Sequence, residues 1–190
     1  TYHLDKWERG FKKVINEQGA DHHSTISRVR AGLQGLNKNI PKDWPEYVLH
    51  QMITVVKEEK EIKLSKRAGS YLTLRDLIDE VGCDAARYFL AARRPDSQLI
   101  FDIDLAKSQN NDNPVFYIQY AHARISKVLE QWGGDISTLK LDESFILNSE
   151  SELKLIKNIS IYPEIVLQAT KELAPHQIAN FLKDCAAELH

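Results

Sequence analysis

Three cations fall within five residues at Lys63, Lys66 and Arg67, inside the stretch EIKLSKRAGSYLTLRDL that runs from Glu61 to Leu77. Lysine ammonium groups are compact, flexible point charges that suit the polyanionic tail of a nucleotide. Each charge-assisted hydrogen bond contributes roughly 1.5–3 kcal/mol. Bonds formed only as charge develops on a leaving pyrophosphate would speed a reaction instead of merely holding a substrate. Gly69 would let such a loop close over phosphates. The same string also reads as a solvated run of mixed charge, and it lacks the glycines of a Walker-type cradle.

Two further groups invite chemistry. In GADHH, Gly19 would permit close approach of backbone to a ligand, Asp21 could accept from ribose hydroxyls, and His22 and His23 could meet an adenine or its phosphates. The competing reading makes Asp21 a helix N-cap followed by polar residues. Adjacent histidines diverge on a helix, and no HExxH, CxxC or third ligand stands at a useful spacing, so no metal site is expected. In FYIQYAHAR, Tyr117, Gln119, Tyr120, His122 and Arg124 flank the apolar face of one helix. Aromatic, amide and guanidinium groups are what unstacked RNA bases are read with. Tyrosines at helical spacing are more often part of a core with tethered hydroxyls.

The elements that would position these residues come in two styles. Lys12 to Gln18 has the content of a strand ended by Gly19, and Ile26, Val29, Leu33 and Leu36 fall at helical spacing after it. A turn-rich connection with two prolines spans Asn37 to Pro45, and Glu46 to Val56 reads as one buried strand. Strand, helix, strand is the unit of a parallel sheet, whose ligands sit beyond the strands' carboxyl ends. From Thr73 the pattern turns helical. Thr73 with Asp76 forms a capping box, Gly82 ends that helix, and Cys83 to Arg93 makes the next. Asn113 and Pro114 start a long helix whose apolar face is Val115, Ile118, Ile125, Val128, Leu129 and Trp132, stopped by Gly133 and Gly134. Asp135 to Ser151 reads as a loop. Helices follow near 150–173 and 175–190, the second with Ile178, Phe181, Leu182, Cys185 and Leu189 inward.

Composition sets the limits. The 190 residues carry 25 Lys and Arg against 27 Asp and Glu, a net charge of -2, so any nucleic acid must be met by local patches. With 43% hydrophobic and 27% charged residues the chain is of globular type. Cys83 and Cys185 are far apart and read as small buried hydrophobes of a reducing compartment. No apolar run approaches the ~20 residues that span a bilayer, and a cytoplasmic location is expected. The chain opens without Met and stops straight after an amphipathic run, which reads as an internal piece of a longer protein.

The order of these signals is distinctive. HLDKWERGF, GADHH, VLHQM, IKLSKRAGSYLTLRDLIDEVGCDAARYFL and RRPDSQLIFDIDLAKSQNNDNPVFYIQYAHARI together resemble bacterial arginyl-tRNA synthetase, a class I aminoacyl-tRNA synthetase, over nearly the whole chain. KLSKR resembles the class I signature loop, and LAPHQIANFL resembles the anticodon-binding bundle. The resemblance implies an α/β portion followed by an all-α portion. Residues 1–72 would be the second half of a Rossmann-like nucleotide-binding domain, 73–112 a stem-contact helical region, and 113–190 the start of the anticodon-binding bundle. It implies ATP-dependent activation of arginine and transfer to the 3′ end of its tRNA, with Mg2+ accompanying ATP and a monomeric parent protein. By the same resemblance Lys66 and Lys63 would be catalytic, and Lys63, Ser65, Lys66, Gly19, Asp21 and His22 would bind ATP. Tyr117, Gln119, Tyr120 and Arg124 would contact tRNA. Leu64 stands where the family usually has methionine, Arg67 where the general signature has serine, and Ser24 where glycine is usual. The His-x-Gly-His signature and the arginine-binding residues are absent from the chain, so the isolated 190 residues are expected to be inactive. A non-catalytic RNA-binding module and a helical scaffold are the rival readings.

Overall fold

The computed structural model describes residues 1–62, 72–138 and 147–190, and divides the chain into two compact units. Thr1–Thr54 and Arg94–Ile100 form the first; Val55–Arg93 and Phe101–His190 form the second. Lys63, Ser65, Lys66, Arg67 and Gly69 lie outside the described residues.

In the first unit α1 (Tyr2–Glu8) precedes β1 (Ile15–Gly19), a single 3-10 turn (Ala20–His22), α2 (His23–Gln34) and β2 (Glu46–His50). The two strands run parallel, in register from Ile15 opposite Glu46 to Gly19 opposite His50. The crossover helix contributes Val29 and Leu33 to a core with Val14, Ile40 and Trp44, against which Leu4 and Trp7 pack. Trp7 meets Trp44 edge-on at 5.5 Å, the geometry aromatic quadrupoles favour. Arg30 fastens the proline-bearing connection by donating from Nη2 to the carbonyls of Asp43 (2.6 Å) and Pro45 (2.8 Å). Asn37 and Asn39 adopt left-handed backbone there, which asparagine tolerates better than most residues.

The expected single strand over Glu46 to Val56 is two strands in different sheets. β2 ends at His50, and β3 (Ile53–Lys57) joins β4 (Lys60–Glu61) and β5 (Leu99–Asp102) in the order β4–β3–β5. The polar pair His50–Gln51 interrupts the apolar run for only two residues before Met52 and Ile53 resume it, too short a break to separate two strands by pattern alone. β3 and β4 are antiparallel, with Lys57 opposite Lys60 across the two-residue turn Glu58–Glu59. Both glutamates have positive φ, 50° and 60°, as such turns demand. The Asp104 carboxylate accepts from the Glu58 N–H and offsets part of that strain.

The second unit is built on Phe101 and Ile103, neither of which is exposed at all, with Val55, Leu77, Ala85, Ala106 and Val115 around them. Its helices start where the sequence says. At α3 (Leu74–Val81) the Thr73 hydroxyl accepts from Asp76 N–H at 3.1 Å, and Asp76 Oδ2 accepts from Thr73 N–H at 2.8 Å. Gly82, at φ 85°, breaks the chain between α3 and α4 (Cys83–Ala91) in a conformation that favours glycine. Cys83, expected to be buried, opens α4 with its thiol exposed. Asp102 caps α5 (Ile103–Lys107). Asn113, 4% exposed, caps α6 (Pro114–Trp132) and donates from Nδ2 to the carbonyls of Ala106 and Ser108.

The helical pattern from 150 to 173 resolves into α7 (Glu150–Ser160) and α8 (Tyr162–Glu172), separated at Ile161 just before Pro163. The Pro163 ring cannot continue the preceding helix's hydrogen bonding. α7 and α8 both pack on α9 (His176–Leu189), where the buried residues Ala169, Ala179 and Ala186 allow close approach. Phe181 is buried and Ile178, Cys185 and Leu189 are half-buried, but Leu182 is exposed. Ile125, Val128 and Trp132 of α6 are exposed as well, whereas Val115 and Ala121 are buried. α9 packs on α6, and His190 at its end meets Tyr117 and Tyr120 in the first half of that helix.

Candidate functional site

Gly19 closes β1 beside His50 at the end of β2, so Ala20, Asp21 and His22 turn over the carboxyl edge of two parallel strands. That edge is where open α/β sheets hold ligands. The position of Gly19 has a steric consequence: a Cβ there would sit 2.5 Å from Asp21 Oδ1. The absent side chain is what lets the Asp21 carboxylate fold back over the strand end. Asp21 Oδ2 stands 3.7 Å from His22 Nε2, and both side chains are well over half exposed. They are available to a ligand and are weakly engaged with each other.

Asp21 does not cap α2. His22 occupies the cap position without a side-chain cap bond, and Thr25 Oγ1 donates back to the His22 carbonyl at 2.7 Å. The 3-10 turn moves the cap one residue on, to His22, so the Asp21 carboxylate takes no part in capping. Next to the strand ends, Glu17 Oε1 lies 2.6 Å from His50 Nε2, an acid–imidazole pair that the sequence reading did not single out. Thirty-three positions separate the two in the chain, and only the parallel register brings them together. Among the described residues no three His, Cys, Asp or Glu side chains converge as a metal site requires.

The second group of candidates lies on α6, within the second unit. His190 gathers three of them. Its ring is 4.5 Å from Tyr117 and stacks on Tyr120 at 5.3 Å, while Nδ1 is 2.9 Å from Arg124 Nη1. His190 Nε2 faces the Tyr117 carbonyl at 3.3 Å. A guanidinium can only donate, so the Arg124 contact asks Nδ1 to accept and leaves Nε2 to donate to the Tyr117 carbonyl. Tyr120 stays half exposed and also stacks against Phe116, with ring centres 6.1 Å apart. Gln119 is separate from this stack: its Nε2 donates to Asp84 Oδ2 at 3.0 Å, joining α6 to α4. His190, 66 residues from Arg124, carried no local signal. Asp84, within DAARYF, is 35 residues from Gln119, and nothing local in the sequence marks it as a partner of α6.

An ionic brace holds the elements on either side of the cationic segment. Glu80 of α3 accepts from Lys57 of β3 at 2.7 Å and from Lys107 of α5 at 3.5 Å. The hydrogen bond from Lys57 pulls the Glu80 carboxyl below its ordinary range, and the same bond pushes the Lys57 ammonium up.

Comparison with known proteins places these observations in a family context. The family model described as "DALR anticodon binding domain" matches residues 118–190. All of the chain aligns with arginine–tRNA ligase of Geobacter metallireducens at 57% identity and with that of Bordetella petrii at 54%. In each case it covers 34% of the relative, so the chain spans about a third of the length of the curated relatives it matches. A Campylobacter jejuni protein named as an arginyl-tRNA synthetase superposes on the whole chain with a TM-score of 0.89 at 34% identity, over 41% of its own length. The Thermus thermophilus arginyl-tRNA synthetase shares the fold, with a TM-score of 0.70 over 94% of this chain and 32% of its own, at 22% identity.

Proposed function

We propose that this chain, which matches arginine–tRNA ligases along its entire length, serves in such an enzyme as the portion that grips the nucleotide from one side and engages tRNA from the other. The observation that carries the reading is the end-to-end match at 57% identity. In the reaction the arginine carboxylate attacks the α-phosphate of ATP, the bond to the β-phosphate breaks, and pyrophosphate leaves with its electron pair. The terminal ribose hydroxyl of tRNA then attacks the adenylate carbonyl and AMP departs.

Within residues 1–72, read as the second half of a Rossmann-like domain, Gly19, Asp21 and His22 border the ribose and adenine. The bare α-carbon at Gly19 and the exposed Asp21 carboxylate suit a hydroxyl donor arriving at the strand edge. Lys63, Ser65 and Lys66 hold the pyrophosphate side, with Lys66 the chief charge as the leaving group becomes more negative. Mg2+ accompanies ATP and shares that charge. Residues 73–112 link the nucleotide to the bundle, and 113–190 begin the tRNA-binding bundle, with Tyr117, Gln119, Tyr120 and Arg124 toward RNA. The parent enzyme acts as a cytoplasmic monomer; among the described residues no helix is long and apolar enough to cross a membrane.

The test compares wild type with Lys66→Ala in the full-length protein, by arginine-dependent ATP–pyrophosphate exchange with tRNA supplied. The expected loss is about a hundredfold in rate with little change in ATP affinity. The 190 residues alone should give no exchange, since the arginine-binding residues are missing. A Lys66→Ala rate close to wild type would return KLSKR to a solvated loop.

A further inference from the structure

A pocket of about 510 Å³ opens within the second unit, between the α3–α4 junction, the end of α5 and the start of α6. Its floor is core: Ala85, Ala106 and Val115 are each less than a tenth exposed. Phe116 lines it, and Asp84, Gln119 and Lys107 supply polar groups. An apolar base with a few convergent polar atoms, in a volume between ~300 and ~1,000 Å³, is what small-ligand sites present.

The polar groups are selective. Gln119 spends an Nε2 proton on Asp84 Oδ2 at 3.0 Å, which fixes the amide with its oxygen free. Asp84 Oδ1 and Gln119 Oε1 have no other hydrogen bond among the described residues. Two neighbouring acceptors ask for two neighbouring donors. Guanine alone of the standard bases has them on its pairing edge, at N1–H and N2–H; adenine and cytosine set one donor beside an acceptor. Phe116 supplies an aromatic face for the base. Lys107 is half exposed and only loosely tied to Glu80, which leaves it able to meet a phosphate at the rim.

We propose that this pocket binds an unstacked guanine of the RNA partner, with Asp84 and Gln119 reading its pairing edge and Phe116 stacking on it. The source of the guanine rests on the ligase reading above; the pocket chemistry does not.

Cys83 offers a direct readout, because its thiol is exposed and lines the same pocket. Cys185 is half-buried and burial pushes its thiol up, so it reacts more slowly. The experiment follows maleimide alkylation of Cys83 in the full-length protein, alone, with an arginine-accepting tRNA transcript, and with guanosine or inosine monophosphate. Bound tRNA should slow alkylation at least tenfold. Guanosine monophosphate should protect about tenfold better than inosine monophosphate, which lacks the N2 amine. Asp84→Asn and Phe116→Leu should each weaken tRNA binding about tenfold and abolish protection, with the circular dichroism spectrum unchanged. Alkylation at the free rate while tRNA is bound would overturn the proposal, as would equal protection by the two monophosphates. Protection by guanosine monophosphate with none from bound tRNA would overturn the RNA source. Failure of the wild-type protein to bind tRNA at all would sink the ligase reading instead, and the monophosphate pair would still decide the pocket.

Discussion

Removing the hydroxyl at Thr73 should loosen the start of α3, the first described helix after the cationic segment, by a calculable amount. Thr73 Oγ1 accepts from the Asp76 N–H and also donates to Asp76 Oδ2, so alanine deletes both bonds and leaves only the bond from Thr73 N–H to the carboxylate. Loss of a threonine N-cap costs about 1 kcal/mol. At 25 °C that is roughly a fivefold rise in the local opening equilibrium, since RT is about 0.59 kcal/mol. The assay is native-state amide exchange of Asp76 and Leu77 in the full-length protein, with Thr73→Ser as the control that keeps the hydroxyl. Acid adds a second reading. Bonds from Thr73 hold the Asp76 carboxyl below its ordinary range, the side-chain bond first and the backbone bond next. A group depressed in the folded state stabilises above its unfolded pKa, and that stability is lost as pH falls through the folded pKa. Thr73→Ala moves the carboxyl back toward its ordinary value. The gap between wild type and variant should therefore be level at neutral pH and narrow as the carboxylate protonates in acid. Equal exchange in the two proteins at neutral pH, or a gap that widens in acid, would refute the reasoning.

Phe101→Ala should remove a ring with no exposure, packed 5.5 Å from Phe89, at a cost of about 3–5 kcal/mol. Urea unfolding monitored on the second unit reads it, and a loss below about 1 kcal/mol would mean that Phe101 is not central to that core. Gly19→Ala needs no forbidden backbone angle, since φ there is -66°, but its methyl would displace the Asp21 carboxylate. The expected result is a several-fold higher KM for ATP in pyrophosphate exchange with the melting temperature unchanged; an unaltered KM would remove Asp21 from the nucleotide site.

What the sequence determined by itself was local. Thr73 with Asp76, Asn113 with Pro114, and Gly82 and Gly133 mark helix ends because each acts on backbone groups no more than four positions away. GADHH was legible as a strand-end turn for the same reason, and the order of motifs along the chain was enough to suggest the family. Tertiary structure decided everything that depends on a distant partner. Glu46 to Val56 splits between two sheets because Ile15–Gly19 pairs with its first half, a partner that the brief polar break at His50–Gln51 cannot name. Ile125, Val128 and Trp132 repeat at helical spacing yet stand exposed, since a periodic stripe states what a helix could bury and only a neighbouring helix makes it buried. Gln119 became Asp84's partner rather than a free amide, and Tyr117, Tyr120 and Arg124 closed around His190. Side-chain chemistry is written in the sequence, but the atom that answers it is chosen by packing.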